Sequence, residues 1–237
     1  MAHLVHGVVT VMLVFPGLSA PQKRERIRLW ALALLARLAI QLVVKGKPTT
    51  QGPALLVVNH ISWLDIVLLL ASCNGRFISK SDIQHWPLIG RLAIAADTLF
   101  VERKSRRDAM RVVHQMVDSL RGGAILVIFP EATTSDGEQV LPFHANLFQA
   151  ALSAHAPIVP VALRFFDKAS GQLSLAPCYI NQDTLLGSIW RTLSAPALCA
   201  TLTFGAIEQA RGRDRRTWAI DARDAVAALL PEHHSVT

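Results

Sequence analysis

The chain has 237 residues, enough for one large domain or a domain with an appendage. It is 51% apolar with a mean hydropathy of +0.35, yet no clean apolar run reaches the ~18 residues of a membrane-spanning helix. A net charge of +7 on so apolar a chain favours an anionic membrane face over nucleic acid as a partner.

Residues 4–18 are largely apolar but broken by His6, Gly7 and Pro16. A basic stretch, Lys23 to Arg28, separates them from a second apolar run, Leu29 to Val44, which carries only Arg37 and Gln41. Four residues apart, those two share one helical face. The pattern predicts a membrane-associating helical hairpin over residues 1–46, lying on the bilayer rather than spanning it, because both apolar segments are short and interrupted. Were the segments to span, the basic linker would mark the cytoplasmic side. A secretory signal fits poorly: there is no charged leader, and Leu18-Ser19-Ala20 is a weak cleavage site. The turn-rich stretch Lys45 to Pro53 marks the boundary to a second domain, 47–237.

From there strands and helices alternate. Strands are predicted at Ala54–Val58, Arg76–Ser79, Thr98–Val101, Ala124–Phe129 and Ile158–Leu163, then near Leu173–Tyr179 and Leu198–Phe204. Helices are predicted at Leu64–Ala71, Pro87–Ala95, from Arg106 to the Gly122-Gly123 stop, at Phe143–His155 and at Arg215–Leu230. The alternation argues an α/β domain with a mostly parallel central sheet flanked by helices. Cys73, Cys178 and Cys199 are scattered, form no ligand-spaced pair, and fit small core residues in a reducing compartment. Metal catalysis has no support. There is no His-Glu-x-x-His, and His233-His234 fall in a tail.

Four blocks carry chemistry or shape it. In the first, His60 follows a buried strand and Asp65 follows His60 by five residues. A neutral imidazole can take a proton near pH 7, and a carboxylate on its other nitrogen fixes the tautomer. On a regular helix five residues turn through about 140°, so the two meet only if His60 precedes the helix and Asp65 lies in its first turns, with Ser62 as a cap. In the second, Arg103 follows a strand end and Lys80 follows another, placing two cations at one sheet edge. Arginine's planar fork suits phosphate; the same residues also read as a solvated basic face. In the third, Phe129-Pro130-Glu131 leads to Thr133, Thr134 and Ser135. Glu131 can accept from a substrate hydroxyl or a backbone amide, and the hydroxyl residues can cradle an anion or simply turn the chain. In the fourth, Pro160 inside a strand argues an edge, a bulge or a strand end.

His60-(four residues)-Asp65, Phe100-Val101-Glu102-Arg103, Phe129-Pro130-Glu131 and the Val159-Pro160 strand come in the order and at about the intervals of four motifs of one family. Over residues 53–165 the chain resembles the glycerolipid acyltransferases, most closely the bacterial 1-acylglycerol-3-phosphate O-acyltransferases. The resemblance implies His60 as general base with Asp65 as its orienting partner, and Arg103, helped by Lys80, on the acceptor phosphate. It implies Glu131 on the acceptor glycerol and Pro160 on the acyl-donor side. It implies a lysophospholipid acceptor, acyl-CoA or acyl carrier protein as co-substrate, no cofactor, and a place on the cytoplasmic face of a bacterial inner membrane. One position departs from the pattern: Ala132 stands where the family usually has glycine. If φ is positive there, alanine is strained. The Thr133–Gly137 continuation is similar to that of proteobacterial enzymes, some of which acylate lyso-ornithine lipid. Two other classes compete. A lipid hydrolase would need an activated serine, and no Gly-x-Ser-x-Gly elbow is present. A basic adaptor without activity leaves the His60/Asp65 and Glu131 placements unused.

Overall fold

A computed structural model describes residues 2–102, 106–180 and 183–230. The order is α1 (Ala2–Leu13), α2 (Ala20–Arg37), β1 (Ile40–Lys45), β2 (Ala54–Val58), α3 (Leu64–Ser72), β3 (Arg76–Lys80), α4 (Ile89–Ala95), β4 (Leu99–Val101), α5 (Arg106–Arg121), β5 (Ile125–Ile128), α6 (Phe148–Ala154), β6 (Ile158–Asp167), α7 (Leu185–Ser194), β7 (Leu198–Phe204) and α8 (Arg215–Leu229). One seven-stranded sheet runs β1-β7-β6-β2-β5-β3-β4. Every pairing is parallel except β6 with β7, which is antiparallel.

β2 is the central strand, flanked by β5 and β6. All five of its residues are buried, as an unbroken apolar run requires when helices cover both faces. Its side chains alternate between two cores. Leu56 and Val58 pack with α2 and α3 residues such as Ala31, Leu35 and Leu68; Leu55 and Val57 pack with Met116 and Leu120 of α5, Phe148 of α6 and Trp218 of α8.

The fold class matches the sequence expectation, but several elements differ. The apolar run Leu29–Val44 is not one helix. α2 stops at Arg37, Ala39 takes a left-handed φ of 54°, and Ile40–Lys45 forms the edge strand β1 beside β7. Its β-branched residues Ile40, Val43 and Val44 suit a strand. Gln41 therefore does not share a helical stripe with Arg37. The sheet begins inside the segment expected to be the hairpin, and α2 buries Ala31 and Leu35 in the same core as α3. The expected strand near Leu173–Tyr179 is a loop with a single bridge, Leu173 to Phe166, on the edge of β6 that β2 leaves after Val161. Past Ser174 the chain turns, the Cys178 amide donating to the Leu175 carbonyl, and Pro177 has no amide to continue a ladder. Pro87 does not open α4: a 3-10 turn, Ser81–His85, comes first, and the helix starts at Ile89 after Leu88 at φ 62°. α6 is shorter than expected, preceded by a 3-10 turn at Ala145–Leu147. α7 lacked a sequence prediction altogether.

Candidate active site

The site is built where β2 ends. Asn59 is buried and stands in for a strand residue: its Nδ2 donates to the Leu163 carbonyl at 2.9 Å, and its Oδ1 accepts from the Leu163 amide at 2.7 Å. The side chain continues the β2–β6 pairing while the backbone peels away. His60 thus leaves the sheet before α3 begins at Leu64, as its pairing with Asp65 demands.

Asp65 Oδ2 is the hub. It accepts from His60 Nδ1 at 2.7 Å, from the Ile61 amide at 2.7 Å and from the Ser62 amide at 3.0 Å. The carboxylate is fully buried and its Oδ1 has no hydrogen-bond partner among the described residues. Ser62 Oγ accepts from the Leu64 amide at 3.3 Å and donates to the Pro177 carbonyl at 2.6 Å. With Nδ1–H held by the carboxylate, Nε2 of His60 carries the lone pair. The His60 side chain keeps 23% of its surface open, and one ring face stacks on Phe129 at 4.1 Å between centroids. Phe77 extends that stack at 6.5 Å.

Loops from two other strand ends lock this segment. The Ser135 amide donates to the His60 carbonyl at 2.8 Å, and the Tyr179 amide donates to the Ile61 carbonyl at 3.0 Å. Gly137, at φ 76°, lies so close to Ile61 that an added Cβ would stand 2.5 Å from its Cδ1.

The other expected residues fall unevenly. Phe77 and Leu56 both pair with Val127, so Lys80, three positions on, ends level with Asn59, two strand spacings or roughly 10 Å across the sheet. Lys80 is exposed at that edge. Arg103 lies outside the described residues. Glu131 does not line an open acceptor site. It is 4% exposed, and neither carboxyl oxygen has a hydrogen-bond partner among the described residues. Burial pushes its pKa up to about 8, against a lowering pull from the amides of His60 and Leu141, which lie near the carboxyl but do not meet hydrogen-bond geometry. Much of Glu131 is therefore the neutral acid at pH 7, packed beneath the His60 backbone.

The expected anion cradle is also mostly spent. Thr134 Oγ1 donates to the Tyr179 carbonyl and Ser135 turns to His60; of the three, only Thr133 is exposed. Ala132 has φ 59°, the strained geometry its departure from glycine anticipates. Pro160 is buried opposite Val57 in the interior of the sheet, not at an edge. It sits at a bulge: between the pairs Ile158–Glu208 and Val161–Phe204, two residues on β6 face three on the other strand. Its neighbours in alternation, Ile158 and Ala162, face the α8 layer, so Pro160 points away from the layer where His60 and Phe129 stack. Sequence reading missed Asn59. Its signal is a polar residue closing an apolar strand. Among the described residues no group of three or more His, Cys, Asp or Glu is placed to hold a metal ion.

A part-open imidazole, tied through one nitrogen to a buried carboxylate at the carboxyl edge of an α/β sheet, has the geometry to accept a proton from a bound hydroxyl. The acyltransferase family model matches residues 41–164. A 1-acyl-sn-glycerol-3-phosphate acyltransferase of Neisseria meningitidis is 35% identical over 202 residues, 84% of this chain and 78% of the relative. A lyso-ornithine lipid O-acyltransferase of Pseudomonas aeruginosa is also 35% identical, over 91% of this chain and 82% of the relative. A crystal structure of the 1-acyl-sn-glycerophosphate acyltransferase of Thermotoga maritima superposes with a TM-score of 0.70 over 96% of this chain and 91% of that one; at 17% identity it speaks for the fold. The chain belongs to the acyltransferase family, and it is an enzyme of that class.

Proposed function

We propose that this enzyme moves a fatty acyl chain from a thioester, acyl-CoA or acyl carrier protein, to the free hydroxyl of 1-acylglycerol-3-phosphate, forming phosphatidic acid. The observation that carries the reading is the single-sided engagement of His60: Nδ1 bonded to Asp65, and Nε2 without a hydrogen bond among the described residues on a part-open ring. The acceptor oxygen attacks the thioester carbonyl carbon while Nε2 takes the hydroxyl proton. The C–S bond then breaks, and the imidazolium returns the proton to the leaving sulfur. An alcohol is far less acidic than an imidazolium, so proton transfer accompanies C–O bond formation rather than preceding it. General-base help of this kind is typically worth ~10²–10⁴-fold. Asp65 holds the tautomer and steadies the positive ring. Arg103, with Lys80 as its helper, supplies the charge for the acceptor phosphate.

The Neisseria relative's name supports the phosphate-bearing acceptor. The Pseudomonas relative, of equal identity, supports lyso-ornithine lipid as the second reading. We place the enzyme on the cytoplasmic face of a bacterial inner membrane, lying on the bilayer; no described helix is long and apolar enough to cross one. The test offers purified protein a labelled acyl thioester with lysophosphatidate and lyso-ornithine lipid side by side. Labelled phosphatidic acid as the main product is expected. Acylated ornithine lipid alone would move the assignment to the second reading, and free fatty acid as the main product would overturn both.

A further inference from the structure

α7 is built inside out. A helix on a globular core normally buries its apolar stripe and exposes its polar one. Here Ser188 and Thr192 are buried, and Arg191 is bound inward to the Ala176 carbonyl at 3.1 Å, the Cys178 carbonyl and the Asp183 carboxylate at 2.8 Å. Leu186, Trp190 and Leu193, at positions i, i+4 and i+7, stand outward with 79%, 72% and 54% of their surface exposed. Leu175, in the loop that receives Arg191, adds a fourth exposed apolar side chain. Exposed Lys168 stands at the rim, its amide bonded to the Ala197 carbonyl just past the helix.

The polar face of α7 grips the loop that grips the site. Ser188 Oγ donates to the Cys178 carbonyl, while the flanking Pro177 carbonyl and Tyr179 amide hold Ser62 and Ile61. One loop therefore separates the exposed stripe from His60. We propose that α7 is a membrane-docking element that lays Leu186, Trp190 and Leu193 into the interfacial layer of an anionic phospholipid bilayer and so brings the His60 edge to the leaflet that holds the acceptor. The proposal rests on the reading of the acceptor as a membrane lipid. A tryptophan among leucines with a cation at the rim is the composition of an interfacial helix, and the chain's charge of +7 attracts an anionic surface. A second copy of the chain is a poorer fit. A single stripe of three or four side chains offers a few hundred Å², well short of the ~800 Å² per partner of a stable interface.

The test uses the full chain and vesicles of phosphatidylethanolamine and phosphatidylglycerol, with and without bromine on the acyl chains, in the absence of any acyl donor. Brominated lipid is expected to quench a component of the tryptophan emission that is missing in Trp190→Phe. The triple variant Leu186→Ser, Trp190→Ser, Leu193→Ser is expected to bind vesicles roughly tenfold more weakly or worse. Its transfer to a water-soluble short-chain lysolipid should match the parent's. Equal quenching in the parent and Trp190→Phe, together with unchanged vesicle binding by the triple variant, would overturn the proposal. So would a parent dimer in sedimentation that the triple variant dissolves. Binding is read without turnover, so a protein that docks through α7 but transfers no acyl chain would sink the substrate reading and leave the docking surface standing.

Discussion

Asp65 reaches back across five residues to hold His60: its Oδ2 lies 2.7 Å from Nδ1 and takes the amides of Ile61 and Ser62 as well. One oxygen thus sets both the ring's tautomer and the backbone that carries it. His60→Ala should lower the turnover number by at least ~10²-fold, in line with the loss of a general base. Asp65→Asn should cost a comparable factor, because an amide donor at that oxygen's place favours the wrong tautomer. Circular dichroism should show both variants folded. Wild-type rates in His60→Ala would remove the base assignment.

Asn59 closes β2 by pairing with both backbone groups of Leu163. Asn59→Asp replaces a donor with a carboxylate oxygen facing the Leu163 carbonyl in a buried place. A loss of about 2 kcal/mol is expected, seen as a fall in Tm of roughly 4–8 °C. Because His60 is the next residue, the turnover number should fall more than the acceptor KM rises. Steady-state kinetics below the shifted Tm checks this.

Ala132 at φ 59° carries a left-handed strain of roughly 1–2 kcal/mol. Ala132→Gly removes it, but adds about 0.4–1 kcal/mol of unfolded-chain entropy. Net stabilisation of about 0.5–1 kcal/mol is expected in urea unfolding. Ala132→Val should destabilise, since a β-branched residue tolerates that region worst. A glycine variant less stable than the parent would contradict the strain.

Glu131 has a pKa raised to about 8 by burial, against 4.5 for an ordinary glutamate. Between those values the unfolded chain has lost the proton and the folded one still holds it. Stability from this group is therefore full below pH 4.5, declines as pH rises toward 8, and is level above. The whole swing is on the order of a few kcal/mol. Glu131→Gln should flatten that part of the pH–stability curve, measured by urea unfolding at half-unit steps. Since the neutral acid and the amide are near isosteres, the variant should also keep much of its transfer rate at pH 7. A collapse in activity with intact folding would put the carboxylate back on the acceptor.

The sequence by itself determined the alternation of elements, the sheet's parallel character and the meeting of His60 with Asp65. These are local: a buried run shows as unbroken hydrophobicity, and a five-residue spacing allows only a loop-to-helix arrangement. The family resemblance singled out Ala132, where glycine is usual, and the backbone there has φ 59°. What only the tertiary structure decided depends on neighbours distant in the chain. Ile40–Lys45 became a strand because β7 offered an edge. The Leu173–Tyr179 segment touches the edge of β6 only at Leu173 and Ser174, then turns away to hold Ser62 and Ile61. Pro160 turned from the site because strand alternation sent it to the α8 layer. Glu131 is buried beside the backbone of His60 and Leu141, and a carboxyl's role is set by how much water remains around it.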